Sequence, residues 1–134
     1  MTWQILEGAN CIPVTLFAAV AELDAGPIYL QKKIQLQGHE LVDEWRLLQA
    51  EATLELCMAW CDRCKEVMAA ALPQLGEPSH YRRRRPVDSQ LDPEKTLADQ
   101  FNLLRVVDNQ NYPAFFCMSG RTFSIQVLGD SRNA

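Results

Sequence analysis

Three groups of residues in this chain have types and spacings that could do chemistry. Asp24 stands in Leu23-Asp24-Ala25-Gly26-Pro27, just ahead of an apolar run. A Gly-flanked turn at the start of a strand can present a carboxylate to a cleft, where it could raise the basicity of a neighbour or position a water. The same D-A-G-P is also ordinary turn chemistry. Cys57, Cys61 and Cys64 form a C-x3-C-x2-C spacing. That is the ligand spacing of an iron–sulfur loop, in which three thiolates hold a cluster and leave one iron open. Arg82–Arg85 is a run of four guanidiniums. It could contact phosphate oxygens, or serve as a solvated linker paired with Asp88 and Asp92.

The surroundings of the cysteines argue against a metal. From Leu41 to Leu72 the sequence has no Gly and no Pro, which predicts one long helix. On a helix the three thiols at i, i+4 and i+7 share a face with Leu54 and Met68, as small apolar core residues would. A zinc ion would need a fourth ligand, and His39 and His80 both lie outside the helix. No metal site is expected.

The elements that must position these groups follow from the periodicities. Trp3–Leu6, Val14–Ala19 and Ile28–Leu36 read as strands, punctuated by Glu7-Gly8, Pro13 and Asp24-Ala25-Gly26-Pro27. The long helix carries two apolar stripes. One is Leu41, Trp45, Leu48, Ala52 and Leu56; the other is Leu47, Ala50, Leu54, Cys57, Cys61, Cys64 and Met68. Two stripes predict a helix covered on more than one side. Pro73 and Gly76 end it, and Pro73 to Asp92 reads as a linker. A second helix, capped by Asp92 with Pro93 at its first position, would bury Leu97, Phe101 and Leu104. A hairpin of Ala114–Met118 and Thr122–Leu128 turns at Ser119-Gly120-Arg121, and Asp130–Ala134 is a polar tail. The fold class is α/β, three strands and a long helix, followed by a small α+β helix-hairpin appendage. The division expected is residues 1–76 and 77–134.

Composition narrows the classes. With 134 residues and 48% hydrophobic content, the chain suits one domain, or a domain plus a small appendage. Its 13 Lys+Arg against 17 Asp+Glu give a net charge of −4, which disfavours general nucleic-acid binding. No apolar run approaches the roughly 20 residues that span a bilayer, and the N-terminus has no basic and apolar secretory signal. Five cysteines is an odd number. Reduced thiols and a cytoplasmic protein are therefore expected.

Several stretches, in order, resemble the folate-dependent formyltransferase family. Trp3-Gln4-Ile5-Leu6-Glu7-Gly8 is similar to its "W-x-I-x-x-G". Val14-Thr15 is similar to its "G-V-T" strand, with Pro13 in place of the Gly. Leu23-Asp24-Ala25-Gly26-Pro27-Ile28, closed by Gln31, is similar to its Leu-Asp-x-Gly-Pro-Ile loop and Gln-terminated strand. Tyr81 to Asp92 resembles the "R-x-P-x-D-x-x-I-D" that opens the C-terminal part of longer members. Leu104 to Asn109 and Tyr112 to Phe116 resemble the "I-R-A…Y-P-G-A-F" that follows. The resemblance runs from about Trp3 to Leu128.

It implies the C-terminal part of a Rossmann-like formyltransferase fold and transfer of a formyl group from 10-formyltetrahydrofolate to a primary amine. Asp24 would match the catalytic aspartate. The backbone of Ala21, Glu22, Leu23 and Asp24 would border the pteridine ring. Arg82 and Arg83 are candidates for substrate phosphates. The C-terminal motifs look closer to enzymes that formylate amino sugars on nucleotide carriers, and the charge of −4 makes tRNA the less expected substrate. Methionyl-tRNA formyltransferase-like activity remains the alternative. The family's Asn-x-His, which with the aspartate completes the catalytic unit, occurs nowhere in these residues. Residues that act as a unit leave little of the rate when one stands alone. The chain is therefore expected to be inactive by itself, and to dimerise, to complement a separate N-terminal half, or to persist as a non-catalytic remnant that binds a partner.

Overall fold

The structure, a computed structural model, describes residues 1–77 and 79–130. Pro78 of the expected linker and residues 131–134 of the expected tail lie outside the described residues. The order is α1 (Thr2–Leu6), β1 (Cys11–Phe17), β2 (Ile28–Gln35), α2 (Val42–Ala69), a 3-10 turn (Pro86–Ser89), α3 (Phe101–Arg105), β3 (Ala114–Met118) and β4 (Arg121–Ile125). The described strands form two antiparallel ribbons, β1-β2 and β3-β4. Mixed α and β content is as expected, but the first third holds two strands, not three. The chain packs as two units that interleave along the sequence across residues 76 and 77. One comprises Met1–Asn10, Gln37–Trp45 and Tyr81 onward; the other comprises Cys11–Leu36 and Arg46–His80.

In the first unit, the expected strand Trp3–Leu6 lies within the helix Thr2–Leu6. Five residues are too few to show a period, and the outcome is decided at the C-terminal end. Gly8 takes φ 87, its N–H donates to Ile5 O (2.9 Å), and Ala9 N–H donates to Gln4 O (2.8 Å). This is the Schellman pair that satisfies the last helical carbonyls, and Gly adopts its left-handed conformation freely. The core of this unit gathers Leu91, Leu104, Val107 and Ala114, with Leu103, Phe116, Ile125 and Val127 packed against them. The hairpin turns on Ser119 and Gly120 alone, both at positive φ, a two-residue turn that matches strand twist.

The second predicted helix shrinks to α3. Side chains take over the backbone bonding of residues 92–100. Gln100 Nε2 donates to Asp92 O (3.0 Å), Gln100 Oε1 accepts from Asp92 N–H (2.7 Å), and Thr96 and Asp99 bond each other's N–H groups. Such local side-chain bonds compete with a helix. Leu97 is accordingly exposed and Phe101 only partly covered, so of the three expected core residues only Leu104 is buried.

In the second unit, β1 pairs with β2 from Cys11↔Gln35 to Phe17↔Ile28. Pro13 lies inside β1 instead of ending the previous run. A two-stranded ribbon has only edge strands, where a missing N–H is tolerated. Leu72 extends the pairing, exchanging both backbone bonds with Ile28 (2.7 and 2.9 Å). The α2 residues of this unit meet β2 through Tyr29 and Trp60, whose rings are 4.6 Å apart, and through a Lys32–Glu55 ion pair.

Helix α2 begins with Asp43 and Glu44, favourable charges for its positive end, and Glu44 accepts from Leu41 N–H (2.7 Å). Arg63 breaks it with φ −135 and ψ 31. The first apolar stripe is buried at Trp45, Ala52 and Leu56. The second is not. Leu47, Leu54 and Met68 are more than half exposed, Cys57 and Cys61 are exposed, and Cys64 is half-buried. The expectation of cover on two sides, with the cysteines in the core, fails because most of the second stripe is exposed. No helix among them is long and apolar enough to cross a membrane.

Candidate functional site

The Asp24 turn is built on β1 and β2, and its base is tightly held. Ala18 N–H donates to Pro27 O (2.9 Å), closing the loop. Gly26 is buried against the same residue: a Cβ there would stand 1.8 Å from Ala18 O. Only glycine permits that approach. From the other side, Gln74 Nε2 donates to Asp24 O and Gly26 O, both at 2.7 Å. Below the loop, Gln31 Nε2 donates to Thr15 Oγ1 (2.9 Å) across the Thr15↔Gln31 pair. The two motif residues that bracket the loop in sequence are thus neighbours in space.

The tip is open. Ala21, Glu22, Leu23 and Asp24 are all exposed, Leu23 at 92%. Asp24 takes φ 54, a left-handed conformation that Asp tolerates better than most residues. Its carboxylate has no hydrogen-bond partner among the described residues, so both oxygens can accept from a ligand or a neighbouring base. Beside the turn in the chain, Ile28, Leu30, Leu72, Pro73 and Leu75 line an open apolar groove of about 430 Å³. Residues 21–24 are not among the groove's lining; what the turn itself offers a ligand is an exposed side chain on a fixed backbone.

The arginines occupy a different setting, in the unit that holds α1 and α3. Arg82 pairs with both oxygens of Asp88 (2.7 and 2.5 Å) and lies 5.1 Å above the Trp3 ring, while Trp3 stacks on Tyr81. Arg82 Nη2 and the Arg85 N–H (2.6 Å) hold the Asp88 carboxyl well below the usual carboxylate range. Tyr81 donates to Glu7 (2.8 Å), which raises its phenol above the ordinary value. Arg84 turns inward to Val106 O (2.9 Å), Asp88 O and Ser89 Oγ (both 3.1 Å). Arg83 is exposed and makes no side-chain bond among the described residues. An open cleft of about 370 Å³ runs along Arg82–Pro86 and Tyr112. The pairing expected with Asp88 is present, whereas Asp92 bonds Glu94 and Gln100 instead of an arginine; Arg82, Arg83 and Arg85 are exposed and Arg84 is half-buried.

The remaining motif residues brace the first unit. Arg105, 1% exposed, donates to Glu40 O (3.4 Å), Glu40 Oε2 (3.3 Å) and Asn102 Oδ1 (3.1 Å), and its own carbonyl accepts from Trp45 Nε1 (3.0 Å). Burial would push the Glu40 carboxyl up. Donors from Gln37 N–H (2.6 Å) and Gly38 N–H (3.0 Å) outweigh that and leave it lowered. Asn109 bonds both the N–H and the carbonyl of Val127 (2.9 and 2.8 Å). The sequence reading missed Gln74 and Glu40. Nothing in the local sequence ties Gln74 to Asp24 or Glu40 to Arg105, because those partners are 50 and 65 residues away. The approach of Gly26 to Ala18 had a signal in D-A-G-P, read there only as a turn.

No protein-family model matches the sequence. Among solved structures, methionyl-tRNA formyltransferase from Clostridium thermocellum aligns over 92% of this chain with TM-score 0.62 and 16% identity. A Mycobacterium tuberculosis protein, provisionally described as a sugar N-formyltransferase, aligns over 99% with TM-score 0.70 and 18% identity. The fold is formyltransferase-like. The chain spans 59% of the length of each of these two structures.

Proposed function

We propose that this chain supplies the aspartate-bearing part of a folate-dependent N-formyltransferase, with Asp24 as its catalytic carboxylate. The supporting observation is the Asp24 turn itself: fixed at its base by Gln74 and Gly26, exposed at its tip, and set in a chain of formyltransferase-like fold. In this reading 10-formyltetrahydrofolate lies along Ala21, Glu22, Leu23 and Asp24. A primary amine attacks the formyl carbon, and the Asp24 carboxylate positions the base or water that takes the amine's proton. The tetrahedral oxyanion needs its own donors. An Asn-x-His is not among these 134 residues, so activity belongs to an assembly in which further residues or another chain provide it. The ribbon β1-β2 with α2 would then close the end of a Rossmann-like sheet. The protein would act in the cytoplasm.

The acceptor proposed is an amino sugar on a nucleotide carrier, supported by the net charge of −4. Of the two arginines considered for its phosphates, Arg82 is paired with Asp88 and Arg83 makes no side-chain bond among the described residues. The assay is formyl transfer by the chain mixed with an Asn-x-His-bearing formyltransferase half, offered both a nucleotide-linked amino sugar and methionyl-tRNA. Formyl on the sugar, lost in Asp24→Asn, is the expected result. Formyl on the tRNA would select the methionyl-tRNA reading. Transfer unaffected by Asp24→Asn would refute the catalytic role.

A further inference from the structure

The cysteines lost their expected place in the core, and one pair of them sits where the helix is broken. We infer that Cys61 and Cys64 are a reversible dithiol–disulfide site built on the kink of α2. Cys61 is exposed and Cys64 half-buried, and both carry free thiols. Between them Arg63 leaves helical geometry at φ −135, ψ 31.

The kink decides which thiols can join. Side chains three or four apart on a regular helix have Cβ atoms about 5–6 Å apart, whereas a disulfide needs roughly 3.5–4.5 Å. Cys57 and Cys61 are joined by unbroken helix, so their separation is fixed at the longer distance. Cys61 and Cys64 are joined through Arg63, where the helical constraint is already released. A change of the Arg63 backbone angles can therefore alter their separation without unwinding the regular turns on either side. No group of three or more potential ligands that could hold a metal occurs among the described residues.

The oxidant is a low-molecular-weight disulfide of the glutathione class. The exposed Cys61 thiolate attacks one sulfur of it, the S–S bond breaks, and one thiol leaves with the proton Cys61 gave up. The Cys64 thiolate then attacks Cys61 Sγ, the Sγ–Sγ bond forms, and the second thiol leaves with the proton from Cys64. Two electrons pass from the protein dithiol to the small disulfide.

The consequence reaches the candidate site through the chain. Soon after Cys64, α2 ends and Leu72 pairs with Ile28 while Gln74 clamps Asp24 and Gly26. Closing the pair fixes the kink and thereby the exit of α2 that carries this clamp. The disulfide itself does not depend on the function proposed for the Asp24 turn, and its test reads thiols instead of folate.

The intact chain is incubated with oxidised and reduced glutathione in graded ratio, alkylated, and mapped by peptide mass spectrometry. A Cys61–Cys64 disulfide is expected, reversed by dithiothreitol, retained in Cys57→Ser and lost in Cys61→Ser and Cys64→Ser. Hydrogen exchange in residues 18–27 is expected to change at least twofold between the two states. A stable glutathione adduct on Cys61, a bond involving Cys57, or a disulfide-linked dimer would overturn the site. Unchanged exchange in the turn would overturn its coupling to Gln74.

Discussion

The side-chain amide of Gln74 spans two backbone oxygens of one turn, donating to Asp24 O and Gly26 O at the same distance, 2.7 Å. A single side chain from beyond α2 thus sets the conformation of a loop 50 residues earlier. Each hydrogen bond contributes on the order of 1 kcal/mol net. Gln74→Ala is expected to lower stability by about 1–2 kcal/mol and to speed amide exchange at residues 21–26 while leaving exchange in β3-β4 unchanged. Denaturant titration and hydrogen exchange measure both.

Gly26 offers a sharper substitution. A methyl at that position would collide with Ala18 O at 1.8 Å, a backbone atom that cannot step aside cheaply. Gly26→Ala should cost about 1–3 kcal/mol, the usual range for overpacking. Gly129→Ala, whose Cβ would meet Leu41 Cδ1 at an ordinary 3.5 Å, should stay within about 0.5 kcal/mol. Chemical denaturation of the two variants beside the parent checks the contrast.

The Arg105–Glu40 pair is the buried charge of the other unit. Removing one member strands the other, together with the Gln37 and Gly38 N–H groups. Glu40→Ala is expected to destabilise by about 3–5 kcal/mol. Replacing both residues, Glu40→Gln with Arg105→Met, should cost less than Glu40→Ala alone, because no unpaired charge remains. Denaturation of Glu40→Gln, Arg105→Met and the double variant beside the parent closes a double-mutant cycle that reads the coupling.

Acid stability carries a second signature. Asp88 has its folded pKa depressed by Arg82 and the Arg85 N–H. Its contribution to stability is therefore complete above the ordinary aspartate value of about 3.9 and fades as pH falls through the lower folded value. Asp88→Asn should flatten that acid limb and leave the slope between pH 6 and 8 unchanged. Melting temperature against pH is the measurement.

What the sequence disclosed was local. The Ser119-Gly120 turn, the strand from Ile28 and the long Gly- and Pro-free helix depend on neighbouring residues, and the structure has them within a few positions. The first helix was hidden because five residues cannot display a period, and a Schellman bond pair from Gly8 and Ala9 decided the matter. The Gln100 and Thr96–Asp99 bonds overrode the helix expected from Pro93 onward. Asp24 could be singled out by its motif, but Gln74 could not, since nothing near residue 74 names a partner at residue 24. The second stripe of α2 misled most. Its Leu47, Leu54 and cysteines have a helical period, yet period shows only which side chains share a face, not whether anything covers it.

The proposed function makes the Asp24 turn a folate-binding element of a formyl-transfer site. Isothermal titration of the intact chain with 5-formyltetrahydrofolate, a stable isomer of the formyl donor, tests it most directly. Saturable one-to-one binding to the parent chain is expected, weakened at least tenfold by Gln74→Ala and unaffected by Arg83→Ala. No saturable binding to the parent, or equal binding by parent and Gln74→Ala, would contradict it.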